Sequence, residues 1–326
     1  MKRTVHLSIA LVAVNFLTGC LFRTHKVESR VSTAVLKQAT KEELVERINT
    51  EAQKVQTLNA TVDIAPAVGG SKKGKVTEYQ EIRGYVLVRK PGMLRMIGLF
   101  PIVRNRMFDM VSNGETFKFS LPVKGQFIIG RNDVVHPSHQ PLENLRPQHI
   151  FDALLLHEID PANEIPVLET GTEMVLDPKT KRHVEEPTYI INVIRRVDDG
   201  NWFLSRKIVF SRQDLLPHRQ IVYDKLGNIA TDARYEKFTD FGGVSFPASI
   251  QITRPQEEYD ILLSIVKLRL NEPLKDEQFE LQQPPGSQLV RLDVAAAPAS
   301  EIPAVPAKTN KNKLNADKKP SGGGSE

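Results

Sequence analysis

Cysteine occurs once in the 326 residues, at Cys20. A lone cysteine excludes an internal disulfide framework. No apolar run is long enough to span a bilayer as a helix. A dominant charge sign is also missing: 44 Lys and Arg stand against 39 Asp and Glu, a formal net charge of +5. The two signs are interspersed, which leaves no nucleic-acid footprint. Catalytic motifs are scarce as well. There is no Gly-x-Ser-x-Gly elbow and no His-Glu-x-x-His pattern around His149 or His157. His136 and His139 flank Pro137-Ser138 without the carboxylate or thiolate company that a three- or four-ligand zinc site needs. Gly69-Gly70 precedes Ser71-Lys72-Lys73-Gly74 without Walker spacing and reads as a hairpin loop. Asp198-Asp199-Gly200 reads as a turn. These absences point to a protein that is not an enzyme and holds no metal, although a triad assembled in space leaves no linear motif.

What is present begins at the N-terminus. Met1-Lys2-Arg3 is a short basic segment, and Leu7 to Leu17 is apolar except for Ser8 and Asn15. Leu17-Thr18-Gly19-Cys20 follows, with small residues just before the cysteine. This is the layout of a secretory signal, too short and wrongly flanked for a membrane-spanning helix. The run resembles the lipobox of bacterial lipoproteins. That resemblance implies cleavage before Cys20, diacylglycerol in thioether linkage to its sulfur, and N-acylation of the new terminus, with palmitate as an expected acyl group. Several acyl chains, at about 0.8 kcal/mol per buried CH₂, make a durable anchor. Covalent lipid on Cys20 is the only non-protein group expected, and no cofactor is implied. Leu21 follows the cysteine in place of the aspartate that signals inner-membrane retention in such lipoproteins, which favours the outer membrane and its periplasmic face.

Along the mature chain, residues 1–19 read as signal and 20–39 as lipidated terminus and polar tether. Residues 40–292 read as one folded domain and 293–326 as a disordered Ala/Pro/Lys-rich tail. Thr40-Lys41-Glu42-Glu43 is a capping box. Leu44, Val45, Ile48, Ala52 and Val55 follow at helical spacing, predicting a helix over roughly 41–57. Alternating segments then predict strands at 59–65, 77–90, 93–99, 104–111, 116–121 and 126–129, with Asn113-Gly114 as a hairpin turn. Ile150, Phe151, Leu154 and Leu155 mark a second helix within 141–158. Strands resume at 164–175, 188–197, 202–211, 218–224, 229–238, 248–253 and 259–270. The fold class is mainly β within α+β: about a dozen antiparallel strands with an N-terminal and an inserted helix.

This order resembles that of the LolA/LolB superfamily, closer to its LolB branch. The residues that carry the resemblance are Gly84-Tyr85-Val86-Leu87-Val88-Arg89-Lys90-Pro91-Gly92-Met93-Leu94-Arg95, a strand, turn and strand. Pro141-Leu142-Glu143-Asn144-Leu145-Arg146 leads into the inserted helix. Tyr223-Asp224 through Phe246-Pro247-Ala248-Ser249-Ile250 resembles the late hairpins, and Leu270-Asn271-Glu272-Pro273-Leu274 with Phe279 and Pro284 resembles the exit from the last long strand. The resemblance spans 41–285. It implies a half-open curved sheet, or half-open barrel, whose helices cover an apolar cavity. It also implies a monomer that binds acyl chains or lipidated protein and transfers lipoprotein or lipid to the outer membrane. Membrane lipid is the expected partner, with lipoproteins or a periplasmic carrier beside it and no nucleic acid.

Two sets of candidate residues follow. The family's exposed insertion loop falls at Ile97 to Ile102, where Leu99 and Phe100 are the candidate wedge; the alternative is ordinary core at a strand end. The inward sets of the long strands, Ile82, Val86, Val88, Leu94, Met96, Phe108 and Met110, are candidate cavity lining, methionine suiting variable lipid shapes. The alternative is plain core. A second function class also stays open: a structural or assembly lipoprotein that uses the same fold as a protein-binding module.

Overall fold

The structure is a computed structural model that describes residues 34–133, 146–177, 181–197 and 200–292. Cys20, the signal segment, most of the tether, His136, His139, the run 141–145, Asp198-Asp199 and the tail from 293 lie outside the described residues.

Helix α1 (Lys41–Lys54) starts as a reciprocal cap: Glu43 N donates to Thr40 Oγ1 at 3.2 Å, and Thr40 N donates to Glu43 Oε2 at 2.7 Å. Leu44, Ile48 and Ala52 form its buried stripe, one residue per turn. The helix stops before 57 because the sheet takes the next carbonyls. Lys90 N donates to Gln56 O and Asn271 N to Thr57 O. The chain already touches the domain before Thr40: Lys37 N donates to Arg212 O, and Tyr189 Oη donates to Gln38 Oε1.

Fifteen strands follow: β1 (Thr57–Gly70), β2 (Lys75–Glu78), β3 (Ile82–Arg89), β4 (Met93–Leu99), β5 (Arg106–Ser112), β6 (Thr116–Leu121), β7 (Gln126–Arg131), β8 (Glu164–Leu176), β9 (His183–Arg196), β10 (Trp202–Ser211), β11 (Pro217–Tyr223), β12 (Ile229–Asp240), β13 (Ser245–Arg254), β14 (Tyr259–Leu270) and β15 (Gln288–Arg291). They make one sheet in the order β15-β7-β6-β5-β4-β3-β1-β14-β13-β12-β11-β10-β9-β8, with β2 hairpinned onto β1. From β1 the chain meanders outward to β7, crosses through helix α2 (Pro147–Leu154), and meanders back from β8 until β14 pairs with β1. All of these pairs are antiparallel except β15 with β7. The first strand is therefore central, and the two free flanks of the sheet are far apart in the order.

Two sequence expectations shift here. The run 77–90 is two strands, because Tyr79 N turns back to Pro66 O and ends β2. The loop after Gly69-Gly70 is the expected hairpin; Gly69 sits at φ +117°, and a Cβ there would lie 2.0 Å from the Lys75 carbonyl oxygen. The extra strands, β2 and β15, are four residues each, too short to show alternation.

Helix α2 crosses the concave face, touching β4 and β5 from one half of the sheet and β12 and β13 from the other. Proline at its first turn suits the start. Below it lies the larger core, which includes Ile150, Phe151 and Leu154. A second core under α1 joins Leu44 and Ile48 to Ile191, Val193, Ile208 and Phe210.

Candidate functional site

The concave face gathers the larger apolar surface of the sheet among the described residues, so the site is built from its inward rows. Strand alternation puts Val86, Val88, Leu94, Met96 and Met110 on one face, each 2 % exposed or less, with Ile82 beside them. Cross-strand pairing makes the row continuous, Val86 opposite Met96 and Met96 opposite Met110. Phe108 is half-buried against the same cluster. Gly98 makes room for it, since a Cβ at 98 would lie 2.3 Å from the Phe108 ring. The seven candidate residues are thus brought together on one face. The space before them is filled by Ile150, Phe151 and Leu154 of α2.

An open apolar chamber lies beside this plug. It measures about 50 Å³ and lies between the ends of α1 and α2, against Val55, Leu154, Leu155, Pro217, Tyr235 and Phe246. That is far below the roughly 300–1,000 Å³ of an ordinary ligand cleft. None of the seven candidates lines it.

Polar groups hold α2 at its C-terminal end, where the last carbonyls of a helix lack partners. Gln220 Nε2 donates to Asp152 O at 2.9 Å and Tyr235 Oη to Ala153 O at 2.9 Å. Burial and the nearby carboxylates Asp232 and Asp152 push the Tyr235 phenol far above its ordinary range, so it remains a donor. After Leu154 the chain leaves helical geometry. Arg206 takes the carbonyls of His157 and Glu158 at 2.8 and 2.9 Å, and Asn49 Oδ1 accepts from Ile159 N. The helix expected to reach 158 is ended by these competitors.

Arg206 also meets Glu164 at 2.9 Å, and Arg195 reaches the same carboxylate at 2.5 Å. Burial pushes the Glu164 carboxyl upward, but Arg206 and Arg195 outweigh it and hold it below its usual range. His149 is pushed down to about 3 by burial, with Arg254 and Arg146 adding to the effect against Asp152, so the ring is neutral. Among the described residues, no three His, Cys, Asp or Glu side chains are placed to hold a metal ion. No described helix is long and apolar enough to cross a membrane.

The wedge expectation is corrected. Leu99 is only 8 % exposed and Phe100 is half-buried, so neither projects as a free apolar tip. Simple alternation from Met93 would aim Leu99 outward, but the β4–β5 register shifts between Gly98 and Leu99. The extra residue of this bulge is Met107 on β5, at the strand end where Leu99 is buried. The turn that follows is closed by Phe100 N to Asn105 O and Arg104 N to Phe100 O. Its apolar tip is Ile102, 93 % exposed, with Val103 at 64 %. Both residues are in the segment between the two strands, where the end of alternation was the available signal.

Neither a protein-family model nor a curated protein matches the sequence. Solved structures do. One is described as a LolA superfamily protein from Nitrosomonas europaea, 15 % identical, covering 73 % of this chain and 97 % of that one, with a TM-score of 0.44. A DUF1329 family protein from Desulfovibrio piger is 17 % identical over 74 % of this chain and 95 % of that chain, with a TM-score of 0.47. An outer membrane lipoprotein-sorting protein domain from Vibrio parahaemolyticus is 10 % identical over 74 % of this chain and 97 % of that chain, at 0.44.

Proposed function

We propose that this chain is a non-catalytic lipoprotein, anchored through Cys20 to the outer membrane on its periplasmic side. In this reading it takes acyl chains or lipidated protein onto the concave face of its sheet for transfer to, or insertion into, the membrane. The observation that carries the reading is the apolar concave face covered by one eight-residue helix. A helix that short is not stable alone. It is held by its buried stripe and by the bonds from Gln220 and Tyr235. If it withdraws, Val86, Leu94, Met96 and Met110 are left facing a surface that favours acyl chains. Native mass spectrometry of the delipidated chain with Cys20 removed tests this. One palmitoyl ligand taken up per protein is expected; a chain that takes up no acyl ligand sinks the reading.

The β4–β5 tip supplies the membrane contact. Ile102 and Val103 project there, beside Arg104, whose charge suits anionic headgroups. Burying one such apolar side chain is worth about 1.5–3 kcal/mol. Glutamate at both positions is expected to weaken liposome association of the unlipidated chain about a hundredfold with little change in melting temperature. Leu99→Glu is expected to unfold the chain instead, because Leu99 is core.

A second reading, an assembly module for a protein partner, has one observation in its favour. Strand β8 is paired only with β9 among the described residues and exposes Met174 and Leu176 along its free edge. A partner recovered by crosslinking from cysteines placed on β8, with no acyl ligand bound, would favour it.

A further inference from the structure

A second chamber, of about 310 Å³, opens on the same concave face at the other end of β11. Gln220 places it there, since it pairs with Ile208 and Ala233, both core residues. This chamber is more polar than the first. Gln148 and Asp152 of α2, His157, Arg206 and Gln220 contribute hydrogen-bonding groups, and Arg195, Ser205 and Tyr223 line it as well. Three fully buried polar atoms of its lining residues have no partner: Gln148 Oε1, Gln220 Oε1 and Arg206 Nε. Gln220 is 1 % exposed and Arg206 4 %. The orientation of both amides is set by their nitrogens, because Gln148 Nε2 donates to Asp152 Oδ1 at 2.8 Å and Gln220 Nε2 to Asp152 O at 2.9 Å. Among the fully buried atoms, what remains is two amide oxygens that require donors and one guanidinium N–H that requires an acceptor.

This combination selects a chemistry. An anion would meet the Asp152 carboxylate and two amide oxygens, while the charges of Arg206 and Arg195 are already engaged by Glu164. A cation would meet the two arginines. Hydroxyl groups donate and accept at once, so a vicinal diol satisfies both kinds of vacancy. Phe203 and Val222 line the same chamber and suit the C–H face of such a group.

We propose that this chamber is a binding site for a neutral polyhydroxyl group, the glycerol- or sugar-type headgroup of an amphiphile whose acyl chain runs under the end of α2. The proposal rests on the acyl-carrier reading above and names its substrate class. The apolar chamber touches β11 at Pro217 and the polar one at Gln220 and Val222. At about 3.3 Å per residue the two lie roughly 10–17 Å apart along the strand, within reach of one medium-length acyl chain. The α2 carbonyls bound by Gln220 and Tyr235 lie between them. One amphiphile occupying both chambers would therefore replace the contacts that hold the helix down.

The test measures affinities of the full mature chain carrying Cys20→Ser for two amphiphiles with the same ten-carbon chain, monodecanoylglycerol and decylphosphocholine, below their micellar concentrations. Free glycerol and glucose serve as competitors. The expected result is at least tenfold tighter binding of monodecanoylglycerol. Gln148→Leu and Gln220→Leu should each remove that preference while chain binding persists. Gln220→Leu also loses a bond to α2, so Gln148→Leu, which spares that bond, is the deciding variant. Competition by glucose or glycerol would identify the site as one for free polyols as well as lipid headgroups. Equal binding of the two amphiphiles, or a preference that survives both substitutions, overturns the headgroup site and leaves the acyl reading standing. Binding of neither overturns both.

Discussion

Replacing Arg206 with methionine is expected to destabilise the protein by about 3–5 kcal/mol, the cost of leaving a buried charge without its partner. The Glu164 side chain is 2 % exposed and that of Arg206 5 %. Arg195 also reaches Glu164, but its side chain is half exposed, so solvent screens its contribution. Methionine would also strip the carbonyls of His157 and Glu158 of their donor, loosening the segment between α2 and β8. For a domain of this size the melting temperature should fall by about 10 °C or more. A pH series adds a signature that lost packing alone would not give. In the native protein the Glu164 pKa is depressed, so its contribution is present above the unfolded carboxylate pKa and lost as pH falls through the folded value. Without Arg206 that pKa rises, and protonation relieves the stranded charge. The deficit should therefore be smaller near pH 4.5 than at pH 7.5. Adding Glu164→Leu to Arg206→Met should recover part of the loss, since a buried pair replaced as a unit costs less than a broken one. A deficit that is constant with pH and strictly additive would show that the pair is not the source.

Local signals were legible in the sequence, and pairings between distant residues were not. The capping box at Thr40 and Glu43 is complete within four residues, and the structure has it as expected. The turn at Asn113 is equally local, with Asn113 Oδ1 accepting from the backbone of Glu115 and Thr116. The inward rows of β3 to β5 follow from alternation alone. What alternation does not contain is the bulge opposite Gly98-Leu99, where Met107 is the extra residue of β5. Nor does it contain the partner of a polar residue in an apolar strand. Arg206 lies in Phe203-Leu204-Ser205-Arg206-Lys207-Ile208, and its carboxylate is 42 residues away. The candidate cavity residues were readable as one face, whereas the filling of that face depends on where an eight-residue helix crosses it. The polar chamber was invisible for a related reason: Gln148, Arg206 and Gln220 belong to three elements that only the meander brings together.

Phe151→Ala is expected to lower stability by about 3–5 kcal/mol and, at the same time, to tighten acyl binding. The first effect is the usual cost of truncating a buried aromatic ring. Phe151 is fully buried, packed in the core beneath α2 and 5.9 Å from the His157 ring, centroid to centroid. The second effect follows from competition for one surface. If α2 must withdraw before a chain is bound, apparent affinity is reduced by the small fraction of molecules in which it has withdrawn. Weakening the covered state raises that fraction, by about tenfold for each 1.4 kcal/mol. Phe210→Ala separates this from a general loss of rigidity. Phe210 is equally buried but belongs to the other core, beneath α1, where no displacement is invoked. Both substitutions should lower the melting temperature by a similar amount. Only Phe151→Ala should raise palmitate affinity, and saturating ligand should restore more of its lost stability than that of Phe210→Ala. If the two behave alike, or if acyl affinity falls with Phe151→Ala, the helix is permanent core rather than a cover, and the concave face is not where the chain is bound.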